Sequence, residues 1–217
     1  LPGSPSAEAE GRALATRSDG RLAWVEIPGH GAAPARAVEF VIHTGGADNA
    51  NIRTYPRIHD PSTVIREGDT YWLFSTGTGV ASWHSRDLKS WQAGPPVFAE
   101  KPAWVTEVVP NHRGHFWAPE IIRLRDRFLL YYSVSSWGRN ESAIALATTR
   151  TLTPDQGGGT WTDEGIVVRS HATNDFNAID PSVLRAADGR LWLAFGSFWS
   201  GIRLVELDSA TGKAKAP

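Results

Sequence analysis

Apolar residues in this chain fall in short runs, each closed by a turn and followed by a second, aromatic-rich run. Ser62–Ile65 precedes Thr70–Ser75, Ile121–Leu124 precedes Phe128–Ser133, and Val183–Leu184 precedes Leu191–Phe195. Glu67-Gly68-Asp69 and Asp188-Gly189 stand between runs, the turn chemistry of β-hairpins. Two further strand-like runs, Leu22–Ile27 and Ala37–His43, lie upstream. They follow residues 1–20, an Ala-, Gly-, Pro- and Ser-rich stretch that predicts loose order. No segment keeps a helical apolar period over about 12 residues, so the pattern predicts an all-β chain. Residues 1–50 read as a flexible N-terminal segment with short strands, and 51–217 as the folded β domain.

The paired runs form an internal repeat. Asp60-Pro61-Ser62-Thr63-Val64-Ile65-Arg66 aligns with Ala118-Pro119-Glu120-Ile121-Ile122-Arg123 and with Asp180-Pro181-Ser182-Val183-Leu184-Arg185. The prolines at 61, 119 and 181 set a period of about 60 residues, which in an all-β chain predicts propeller blades. Each blade's innermost strand lines a central channel, so equivalent positions converge in space. Asp60 and Asp180 hold the same repeat position, with Ala118 between them. A single Asp-Pro-Ser is commonly only a turn or a strand-start cap. Two copies at matched positions point to a shared acidic site, and paired carboxylates are the apparatus of glycoside hydrolysis.

Composition narrows the choice further. The 217 residues suit one domain or a large part of one, and a hydrophobic content of 41% is enough to bury a core. A net charge of −1 with no basic block argues against nucleic acid, and no apolar run is long enough for a membrane span. Ten tryptophans are available to stack on sugar faces or to fill the core. Absence of cysteine removes disulfides and thiol catalysis. With no Met, the chain begins as a processed or engineered piece, and its Leu1-Pro2-Gly3-Ser4-Pro5 start reads as a flexible mature terminus rather than a signal peptide. A secreted or periplasmic location is the expectation, with which the lack of cysteine is compatible.

Several motifs, in order, resemble the arabinan-degrading branch of glycoside hydrolase family 43. They are His59-Asp60-Pro61-Ser62, Ser85-Arg86-Asp87-Leu88-Lys89-Ser90-Trp91 and Phe116-Trp117-Ala118-Pro119-Glu120. Tyr131-Tyr132-Ser133-Val134-Ser135, Asn177-Ala178-Ile179-Asp180-Pro181-Ser182 and Gly196-Ser197-Phe198-Trp199-Ser200-Gly201-Ile202 continue the series. The resemblance covers roughly residues 55–213 and points to endo-1,5-α-L-arabinanases more than to xylosidases of that family.

That resemblance implies a five-bladed β-propeller and hydrolysis of internal α-1,5-L-arabinofuranosyl bonds with inversion. It implies that Asp60 is the general base and that Asp180 tunes and orients the general acid. Asn177, Ala178, Ile179, Ser197, Phe198 and Trp199 are implied to line the substrate cleft. Gly138 matches a family loop written Phe-Gly-Ser-Asn, with Trp137 and Arg139 replacing the Phe and the Ser. Phe116 and Trp117 either stack on a furanose or pack in the core, and their place before the inner strand favours the channel. His59 reads as a hydrogen-bonding neighbour of the base, and Glu120 as an acceptor that orients neighbours.

The resemblance also implies calcium at the propeller centre, held by a histidine outside this chain, so no metal ligand is assigned here. The general acid, a Glu, is expected beyond Pro217, so the chain reads as about the first three of five blades. A catalytically deficient fragment is the expectation, with the remaining blades on the same protein or on a second chain. The substrate expected is arabinan or an arabino-oligosaccharide. Two other functions stay open: an exo-acting arabinofuranosidase or xylosidase of the same family, and a non-catalytic carbohydrate-binding propeller.

Overall fold

A computed structural model describes residues 12–16, 22–26, 58–153 and 160–215. The chain divides into two compact units, Leu1–Ile52 and Arg53–Pro217. In the first unit β1 (Arg12–Thr16) pairs antiparallel with β2 (Leu22–Glu26), Thr16 opposite Leu22. The expectation of loose order over residues 1–20 is thus corrected at Arg12–Thr16, whose backbone groups find partners in β2. The run Ala37–His43 lies outside the described residues.

The second unit is built from antiparallel sheets in chain order. β3 (Ile65–Glu67), β4 (Thr70–Ser75), β5 (Gly77–Thr78), β6 (Ala81–Ser85) and β7 (Gln92–Ala93) come first. The first sheet runs β3-β4-β6-β7, while β5 leaves it. A single helical turn, α1 (Val105–Val108), precedes β8 (His115–Leu124), β9 (Arg127–Val134), β10 (Ser142–Thr149) and β11 (Thr162–Ser170). These form the second sheet, β11-β10-β9-β8, with β5 added beside β8. The third sheet is β12 (Ser182–Arg185), β13 (Leu191–Phe195) and β14 (Arg203–Leu207).

The expected run Ser62–Ile65 becomes a strand only at Ile65. Ser62 N–H still donates to Phe74 O at 2.8 Å, but the Phe74 N–H is taken by the Ser62 hydroxyl at 3.0 Å, which replaces the ladder bond.

Period-2 alternation gives the second sheet two apolar faces. Phe128, Leu130, Tyr132 and Val134 of β9 join Trp72, Phe74 and Phe116 in one core. Leu129 and Tyr131 join Leu191, Leu193 and Phe195 in another. On β10, Ala143, Ala145 and Ala147 serve the first core and Ile144 and Leu146 the second.

Polar clamps tie each sheet to the next. Glu67 Oε2 accepts Leu152 N–H at 2.8 Å and the Thr151 hydroxyl at 3.0 Å. The Tyr131 hydroxyl donates to Gly212 O at 2.8 Å.

Candidate active site

Three repeat positions share one backbone conformation. Asp60, Ala118 and Asp180 have φ of 50°, 37° and 56°. Few residues adopt this left-handed region, and Asp does so more readily than Ala. The carbonyl before each Asp is fixed first: Thr76 N–H donates to His59 O at 3.1 Å, and Gly196 N–H to Ile179 O at 2.8 Å. The kink therefore begins directly beyond a hydrogen-bonded position, and both Asp side chains enter one cleft. Hydroxyls link the repeats across sheets. Thr76 Oγ1 accepts the Ala118 N–H at 2.8 Å, and Ser133 Oγ accepts the Asp180 N–H at 3.0 Å.

The cleft encloses about 1040 Å³. Asp60 and Asp180 line it together with Trp117, Gly138, Asn177, Ile179, Ser197, Phe198 and Trp199, all expected from the sequence. Two expected lining residues are corrected. Phe116 is fully buried, with its ring 5.1 Å from Tyr132 and 5.7 Å from Phe98. Adjacent residues of a strand point to opposite faces, so Trp117 reaches the cleft and Phe116 the core. Ala178 is also fully buried, in the second core, with its N–H on Ser170 Oγ at 2.9 Å.

The cleft also takes in Thr76, His115 and Ser136, which no motif had singled out, and Trp137 and Arg139, noted only as departures from the family loop. Glu120 is not a lining residue. Its carboxylate accepts Thr63 N–H at 3.0 Å and the Thr63 hydroxyl at 2.8 Å, joining β8 to the segment before β3.

Hydrogen bonding distinguishes the two acids. Asp60 Oδ2 accepts the Thr76 hydroxyl at 2.7 Å and meets His59 Nδ1 at 2.6 Å. Asp180, although open to the cleft as a residue, has its carboxyl held above the ordinary range. Loss of hydration is the larger cause and the neighbouring charge of Asp60 the second. Asn177 is buried; its Nδ2 donates to Arg139 O at 3.4 Å, and its Oδ1 has no partner among the described residues.

Aromatic rings form the walls. Trp137 is 92% exposed and Phe198 85%, and Trp137 stands edge-on to Trp117 at 6.4 Å. Phe198 and Trp199 both take left-handed backbone, φ 54° and 43°, between Gly196 and Gly201. A Cβ at Gly196 would lie 2.7 Å from Gly201 O, so only glycine closes this loop. Among the described residues no group of three or more His, Asp or Glu side chains is placed to hold a metal ion.

The chain's fold is similar to solved arabinanase structures. The Cellvibrio cellulosa α-L-arabinanase complexed with arabinohexaose matches with TM-score 0.70 and 40% identity, covering 73% of this chain and 50% of that one. The chain belongs to the glycosyl hydrolases family 43, whose model matches residues 54–217. An extracellular exo-α-(1→5)-L-arabinofuranosidase of Cellvibrio japonicus is 41% identical, over 74% of this chain and 46% of its own length. An extracellular endo-α-(1→5)-L-arabinanase of Bacillus subtilis is 43% identical, over 72% of this chain and 48% of its own. The chain thus spans about half the length of the curated relatives it matches.

Proposed function

We propose that the full-length protein is an extracellular endo-acting arabinanase that cleaves internal α-1,5-L-arabinofuranosyl bonds with inversion. The observation that carries this reading is the placement of Asp60 and Asp180 in one aromatic-walled cleft, in a chain similar to arabinanases. Asp60 acts as the base: it takes a proton from water as the oxygen attacks the anomeric carbon. A protonated carboxyl on the opposite face gives its proton to the departing O5. Asp180 holds that acid in place and, as a nearby negative charge, keeps it protonated. Trp117, Trp137, Phe198 and Trp199 stack on successive furanose rings.

No Glu is among the described residues lining the cleft, so in this reading the proton donor comes from further sheets, on the same protein or on a second chain. A five-bladed propeller supplies them. In support, Leu184, Ile202 and Leu204 of the third sheet and its approach are 50%, 69% and 57% exposed, an apolar face suited to a following sheet. Calcium at the propeller centre belongs to the same proposal. The described residues alone do not make its site, and no step above runs through a metal.

The test is product analysis of linear arabinan by chromatography and proton NMR. The reading expects a spread of oligosaccharide lengths, with the β-anomer at the new reducing end appearing first. The exo-acting relative makes release of one short product the competing outcome. An α-anomer appearing first would overturn the inverting chemistry.

A further inference from the structure

Thr76 directly follows β4 and joins two sheets. Its Oγ1 accepts the Ala118 N–H at 2.8 Å and lies 2.7 Å from Asp60 Oδ2. A hydroxyl has one proton to give. With the Ala118 amide on one of its lone pairs, that proton is directed to Asp60. The next junction repeats half of the arrangement: Ser133 Oγ accepts the Asp180 N–H at 3.0 Å, but Ala118 stands where the first sheet carries Asp60. Among the described residues, only Thr76 couples a junction hydroxyl to a repeat carboxylate.

His59 engages the same oxygen, but its side chain is 80% exposed. Thr76 is anchored from behind by the backbone of the second sheet. Asp60 Oδ1 makes no hydrogen bond among the described residues.

We propose that Thr76 is a positioning residue for Asp60: it fixes Oδ2 against the junction of the first two sheets and leaves Oδ1 free to take the proton from water. This rests on the reading of Asp60 as the base. The charged and titratable groups that line the cleft with Asp60 are His59, His115, Arg139 and Asp180.

The experiment compares wild type, Thr76→Val, Thr76→Ser and Thr76→Ala in the full-length protein on linear arabino-oligosaccharides. Thr76→Val lowers kcat roughly 10- to 100-fold while KM stays within about twofold. Thr76→Ser, which keeps the hydroxyl, returns kcat to near wild type. A Thr76→Val enzyme that keeps its kcat, or whose loss lies in KM alone, would overturn the proposal, as would Thr76→Ser as impaired as Thr76→Val. Should Thr76→Val not fold, Thr76→Ala against Thr76→Ser decides by the same two readouts. A wild type that leaves arabinan intact sinks the base reading and this proposal with it; an active wild type indifferent to the loss of the hydroxyl sinks the proposal alone.

Discussion

Asp180 carries a cost that a pH titration can expose. Its carboxyl binds a proton more tightly in the fold than in the unfolded chain, where the ordinary value is 3.8. Its charge therefore destabilises the fold at pH above the raised value, and the cost disappears below 3.8. Asp180→Asn is expected to raise Tm at neutral pH, with the gain fading as pH falls towards that value, while activity is lost. Thermal unfolding of both proteins across the acid range checks this, and an equal gain at every pH would contradict it. The repeat made Asp60 and Asp180 legible as a pair before any coordinates. Thr76 was not legible, because it lies outside the Asp-Pro-Ser motif, 16 residues from Asp60 and 42 from Ala118, its two hydrogen-bond partners.

Strand phase decides what the adjacent Phe116 and Trp117 do. The sequence leaves both readings open, since either ring could face the channel. On β8 the phase puts Phe116 in the first core and Trp117 in the cleft. Phe116→Ala is thus expected to cost roughly 3–5 kcal/mol of stability. Trp117→Ala, by contrast, should weaken oligosaccharide binding roughly tenfold, about 1.4 kcal/mol, with little change in Tm. Calorimetry on the two variants separates the roles, and matched losses of stability would contradict the assignment. The same physics explains which elements were readable. β4 and β13 stand out as aromatic-rich runs bounded by turns. β10 does not, because all eight of its residues are buried and no polar face marks its alternation.

At the scale of the molecule, successive antiparallel sheets share cores through the second sheet and are joined by polar clamps. That repetition is what brings two acids distant in sequence into one cleft. The periodic prolines announced the repeat, whereas the clamps from Glu67 and Tyr131 join segments that share no motif. The account stands or falls on chemistry at that cleft. Its most direct test is cleavage of linear α-1,5-arabinan by the full-length protein and by its Asp60→Asn variant, with arabino-oligosaccharide binding measured in parallel. The account predicts turnover by wild type, a loss of at least roughly 100-fold in the variant and binding retained by both. Binding without cleavage by wild type, or cleavage unaffected by Asp60→Asn, would contradict it.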